Sequence, residues 1–209
     1  MQAEFWHKMW DSGVVGFHQT EINAFLQQHW SRLDLKGDET VLVPLCGKSL
    51  DMLWLKEQGH EVLGVELSPK ALDEFLSENH IEAQPVQHER FCGYELGAMT
   101  LLCGDFFDLS QADCTPVKAV YDRAAIVALP KSMRQAYANH LQKILPEGTV
   151  CLMVTMEYDE SELAGPPFSV SEDEIHELFA ACCEVRKVSE QGFNRKGVEA
   201  IEKVYVIRF

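Results

Sequence analysis

A chain of 209 residues that is 46% hydrophobic and 24% charged has apolar material for one packed domain and is too apolar for a disordered chain. Its 33 acidic residues against 18 basic ones give a formal net charge of −15, which disfavours polyanionic partners, so neither nucleic acid nor a membrane surface is expected to bind. No run nears the roughly 18 apolar residues of a membrane helix, and MQAEFWHKMW lacks the basic-then-apolar pattern of a secretory signal, so a cytoplasmic location is expected.

In chain order, residues 1–30 read as a helical segment. Phe5/Met9 and Trp6/Trp10 stand four apart, which puts each pair on one helical face. Ile22, Phe25, Leu26 and Trp30 form a second stripe. Residues 41–44 are the first buried strand. Ser49 is placed to cap a helix with Leu50, Leu53 and Trp54 on one face and Gly59 as its stop. Residues 62–65 form the second strand and end at Glu66. Ser68-Pro69 then opens a helix through Ala71, Leu72, Phe75 and Leu76. A third strand, 99–103, ends in Gly104-Asp105. A fourth begins at 119–121 and ends in Asp122-Arg123. Met133, Tyr137, Leu141 and Ile144 mark a helix stopped by residues 146–148, and 150–155 make a fifth strand.

Ser171 and Glu174 read as a capping box for a last helix. Two strand-like stretches, about 184–190 and 200–209, then suggest an antiparallel edge. The expectation is one α/β domain over 1–209, with about seven mostly parallel strands and helices on both faces. The seven cysteines are odd in number and form no C-x-x-C pair, and the eight histidines include no H-E-x-x-H. No disulfide framework and no metal site are therefore expected.

Open parallel sheets bind ligands beyond the carboxyl ends of their strands. Gly47-Lys48-Ser49 invites a phosphate-binding loop, but position 42, which would have to be glycine, is Leu42. A dinucleotide fingerprint fails as well, since the loop has a single glycine. What remains is Glu66, about 20 residues after Gly47, where a carboxylate accepts hydrogen bonds from ribose hydroxyls. A nucleoside without phosphates fits, and S-adenosylmethionine is one, with a cationic sulfonium suited to an acidic, aromatic-lined site. The competing reading of Glu66 alone is an ordinary strand-end carboxylate. Arg123 follows a buried strand, so its guanidinium needs a partner: Asp122, the cofactor carboxylate, or an acceptor ring.

Five motifs, W-D-S-G-V-V-G-F-H at 10–18, V-P-L-C-G-K-S at 43–49, G-V-E-L-S at 64–68, Y-D-R-A-A at 121–125 and G-P-P-F at 165–168, resemble the thiopurine S-methyltransferase family in its bacterial form. The resemblance implies a Rossmann-like class I methyltransferase fold and S-adenosylmethionine as methyl donor, with S-adenosylhomocysteine as product. It implies that Trp10, Leu45, Glu66 and Arg123 contact the donor. In a fold of this class Asp105, after the third strand, is placed to meet the adenine amino group with Phe106 and Cys103 flanking that ring, or else to cap the following turn. Phe17 with Pro166, Pro167 and Phe168 reads as a flat slot for a planar acceptor, or the latter three as a rigid connector, and the family's phenylalanine at Phe17 contacts substrate; Arg123 is the expected catalytic residue, and the paired aromatics make residues 1–30 a lid or a segment docked on the core. Arg195 is a further candidate for contact with the acceptor, and His18 a candidate base that the chemistry does not require. The expected acceptor is a small aromatic thiol or a selenium or tellurium compound, and the expected state is a monomer. Two other readings stand beside this one: a non-catalytic S-adenosylmethionine-binding or sensing protein, and a nucleotide hydrolase using Lys48.

Overall fold

The computed structural model describes residues 3–13 and 18–209. Among them run nine strands: β1 (Thr40–Pro44), β2 (Glu61–Glu66), β3 (Gln84–Gln87), β4 (Cys92–Glu95), β5 (Met99–Cys103), β6 (Val117–Asp122), β7 (Val150–Tyr158), β8 (Glu184–Arg195) and β9 (Val198–Arg208). The α-helices are α1 (Ala3–Asp11), α2 (Ala24–His29), α3 (Asp51–Glu57), α4 (Pro69–Glu78), α5 (Ala125–Ala128), α6 (Lys131–Ile144) and α7 (Glu172–Phe179). All strands join one sheet in the order β3-β4-β5-β2-β1-β6-β7-β9-β8. The five central strands are parallel, and both flanks are antiparallel.

Strand alternation sorts the core into two layers. Leu42, Leu63, Val65, Val120, Cys151 and Met153 face one side, where α5, α6 and α7 add Ile126, Tyr137, Leu141, Ile175 and Phe179. Val41, Val43, Val62, Tyr121, Leu152 and Val154 face the other, against Leu26 of α2, Met52 and Leu55 of α3 and Leu72 and Phe75 of α4. Covering on both faces explains why β1 is buried along its whole length and reads as a continuous apolar run.

The strand count is nine where seven were expected. The additional pair is the β3–β4 hairpin, which adds antiparallel to β5 at the sheet's edge. Its residues are mostly exposed, and Pro85, which has no N–H to give a ladder, is tolerable only at such an edge. Hydrophobic periodicity carries no signal for a strand of that kind. The capping box is also half of what was expected. Ser171 Oγ accepts the Glu174 N–H at 3.2 Å, but the Glu174 carboxylate does not reach back to its own helix. It binds Arg134 of α6 at 2.7 Å, in a buried ion pair that locks α7 to α6.

Candidate active site

Strand order reverses at β1, with β2 and β5 on one side and β6 and β7 on the other. A cavity of about 480 Å³ opens beyond the carboxyl ends of these strands, within the range of small-ligand sites. Its floor is the β1–α3 turn, the end of β2, the β5 exit at Gly104-Asp105 and the β6 exit at Arg123.

Glu66 ends β2 at 6% exposure. One carboxylate oxygen accepts the Ser68 N–H at 2.8 Å, the other the Gly47 N–H at 2.9 Å. Burial raises its pKa, and these backbone donors oppose the rise. Two amides therefore fix the carboxylate's orientation and leave lone pairs open towards the cavity. No cation pairs with it among the described residues.

The β1–α3 turn is shaped around the same carboxylate. Leu45 and Gly47 both have left-handed backbones, with φ of 49° and 54°. At Gly47 a Cβ would lie 3.2 Å from the Trp10 indole, so a side chain there meets both backbone strain and a ring. Trp10, 2% exposed at the end of α1, lies over this turn. Lys48 is turned away from any phosphate role: its ammonium binds Glu74 at 2.8 Å and Glu78 at 2.6 Å on α4. Because the Gly47 N–H is committed to a carboxylate and Lys48 to two others, this loop lacks the donors a nucleotide hydrolase needs.

At the other end stand Arg123 and Glu202, the latter half-buried on β9. Burial raises the Glu202 pKa, and the positive charge of Arg123 pulls it back. Asp122 is not the partner of Arg123. Strand alternation sends it into the opposite layer, where it accepts N–H bonds from Ala125 and Ile126 at 3.0 and 3.3 Å and the Tyr137 hydroxyl at 2.7 Å. His18 lines the cavity, and its pKa is lowered by burial, then by Lys48 and Arg123, with Glu78 and Glu74 opposing.

A family profile described as Thiopurine S-methyltransferase (TPMT) matches residues 1–208. A thiopurine S-methyltransferase of Pseudomonas fluorescens (strain Pf0-1) is 48% identical across 100% of this chain and 99% of its own. That of Pseudomonas paraeruginosa (strain DSM 24068 / PA7) is 50% identical over 87% of this chain and 83% of its own. The chain belongs to the thiopurine S-methyltransferase family.

The fold agrees with that membership. The chain superposes with a TM-score of 0.65 on the 1,6-didemethyltoxoflavin-N1-methyltransferase of Burkholderia thailandensis, at 16% identity, over 99% of this chain and 87% of that one. The fold is the class I, Rossmann-like methyltransferase fold. S-adenosylmethionine, the methyl donor of the family, fits the residues present. The oriented Glu66 carboxylate suits a ribose diol, and the β1–α3 turn beside it offers no phosphate cradle.

Of the residues this family's motifs singled out, Trp10, Leu45, Glu66, Asp105, Phe106, Arg123 and Pro167 all line the cavity. Asp105 also accepts the Phe107 N–H at 2.9 Å, capping the short turn after β5. Phe106 reaches the cavity but packs mainly on Tyr137 and His140. Cys103 does not line it, and its thiol reaches the Leu67 carbonyl at 3.8 Å instead. Phe168 does not line it either. Its ring folds onto Gly165 and its N–H bonds Val127, so Pro166 and Pro167 form that wall. Phe17 lies outside the described residues.

Arg195 lines the cavity with its guanidinium 4.6 Å from the centre of the Tyr158 ring. Glu202 lines it too and was missed by the motif reading. The only local signal for it is a charge next to Val204 and Val206 on one face of β9.

Proposed function

We propose that the chain transfers a methyl group from S-adenosylmethionine to the sulfur of small aromatic or heterocyclic thiols such as thiopurines. The observation that carries this is Glu66: a buried, cation-free carboxylate held by two backbone amides at the end of β2, beside a loop without phosphate donors. Glu66 takes the ribose hydroxyls, Asp105 the adenine amino group, and Phe106 borders the base. Leu45 offers backbone to the methionine part, and Trp10 covers it. Arg123 serves both donor and acceptor, while Phe17 and Pro167 shape the acceptor end and Phe168, packed on Gly165, backs that loop. The whole chain then works as one domain, with residues 1–30 as its cover.

Bound there, S-adenosylmethionine supplies a methyl group on a cationic sulfur, open to in-line displacement by a soft nucleophile. The chain's own task is geometry. Holding the acceptor sulfur in line at attack distance contributes up to about 10 kcal/mol in well-oriented systems. Trp10 over Gly47 excludes water from the floor. Arg123 steadies an anionic sulfur without needing to move a proton. His18 has no required part as a base, because an ionised acceptor sulfur carries no proton to remove. The acceptor end, with Arg123, Arg195 and Pro167, is what a binding-only sensor would not need.

The reading extends to selenols and tellurium compounds, whose heavier atoms are also soft nucleophiles, and to a monomeric cytoplasmic enzyme. Among the described residues no helix is long and apolar enough to cross a membrane. A radiolabelled methyl-donor assay across aromatic thiols, selenols and metalloid oxyanions tests the proposal. Methylation of an aromatic thiol is expected. Binding of S-adenosylmethionine with no acceptor methylated overturns it.

A further inference from the structure

Arg123 and Glu202 approach the acceptor end of one cavity from different strands, β6 and β9. They carry opposite charges and feel each other, yet no ion pair closes between them. Among the described residues neither side chain has a hydrogen-bond partner, although Glu202 is half-buried. Its neighbours across the sheet, Met156 and Gln191, leave its charge uncompensated. Arg195 and Lys196 line the same cavity from the β8–β9 turn. A carboxylate held in a partly desolvated cavity without a partner costs free energy, and it persists where a ligand supplies the missing donor. An anionic thiolate is no such donor, because Glu202 would repel it.

We infer that Glu202 accepts the ring N–H of a heteroaromatic thioamide, –NH–C(=S)–, whose sulfur lies towards Arg123, and that it selects such acceptors over plain arene thiols. The inference rests on the methyltransferase reading of this cavity. The thione sulfur forms the new bond to the methyl carbon, and the donor's carbon–sulfur bond breaks with its electron pair left on the donor sulfur. The acceptor is then a cation bearing the ring N–H. That proton passes to the Glu202 carboxylate, leaving a neutral S-methyl heteroarene, and Glu202 returns it to water. Glu202 thus permits attack by the neutral thione, whereas a plain arene thiol must first ionise.

The test compares 2-thiopyridone, which carries the ring N–H, with thiophenol, which does not, in the full-length protein and Glu202→Gln. The variant is expected to lose about 10²-fold in kcat/KM on 2-thiopyridone and to keep or raise its rate on thiophenol, whose thiolate Glu202 repels. Its thiophenol activity reports that the fold is intact. Titration of the thione absorbance in the presence of S-adenosylhomocysteine should show about tenfold weaker 2-thiopyridone binding in the variant. The acidic limb of the wild-type 2-thiopyridone profile should vanish in it. Equal losses on both acceptors, or unchanged 2-thiopyridone binding, overturn the inference and leave the methyltransferase reading standing. A wild-type protein that methylates neither acceptor overturns both.

Discussion

Glu66 is set by orientation as much as by charge. Two amides pin its oxygens, so the lone pairs left over are aimed, and in the proposed role a ribose need not reorganise them. Glu66→Ala is expected to weaken S-adenosylmethionine binding about 10–100-fold by calorimetry, the scale of hydrogen bonds to a charged group. Unchanged affinity would show that the sugar lies elsewhere. Arg123 and His18 share a cavity wall but not a task. Arg123→Ala should reduce kcat/KM on an aromatic thiol by 10²-fold or more, the order seen when a transition-state stabiliser is removed. His18→Ala should cost far less, because a histidine held neutral has little charge to offer. Comparable severe losses in steady-state kinetics would refute this division.

Among the elements, α6 and α7 are joined by the Arg134–Glu174 pair, with Arg134 2% exposed. The Arg134 guanidinium also donates to the Leu129 carbonyl at 3.0 Å, tying the start of α6 to the cavity wall at the end of α5. Removing one member leaves a buried charge without its counter-ion. Arg134→Met is therefore expected to destabilise the fold by about 3–5 kcal/mol in urea unfolding, while Arg134→Met with Glu174→Leu recovers most of the loss. A double variant as unstable as the single one would mean that the pair's geometry, not its charge, matters. On the opposite face α1 brings Trp10 over Gly47, and the glycine is what lets the ring descend.

At the scale of the whole molecule, Asp122 links the fold's stability to pH. It is fully buried, and burial raises its pKa from an ordinary 3.8 to about 6 against the hydrogen bonds of Tyr137, Ile126 and Ala125. A carboxyl with a raised folded pKa favours the folded state below its unfolded value, and that contribution is lost as pH climbs through the folded value. A shift of about two units corresponds to about 3 kcal/mol lost between about pH 4 and pH 6. Asp122→Asn lacks this slope. Its stability relative to wild type should improve by about 3 kcal/mol from pH 4 to pH 7 in chemical unfolding. A difference independent of pH would sink the assignment.

Local sequence determined the alternation of parallel strands and helices, the place of Glu66 at a strand end and the want of a phosphate-binding loop. Each of these is written in short-range periodicity and spacing, and the motifs at 43–49, 64–68 and 121–125 sit on the cavity floor as their order in the chain implies. Only the tertiary structure decided who meets whom. The polar β3–β4 strands exist because β5 offers them an edge, and Glu174 prefers Arg134 to its own helix end. Asp122 turns to Tyr137 rather than Arg123, and Glu202 shares a cavity with Arg123 because β9 inserts between β7 and β8. Pairings between residues far apart in the chain leave no trace in local pattern. They are settled by which faces and edges remain to be covered once the central strands have formed.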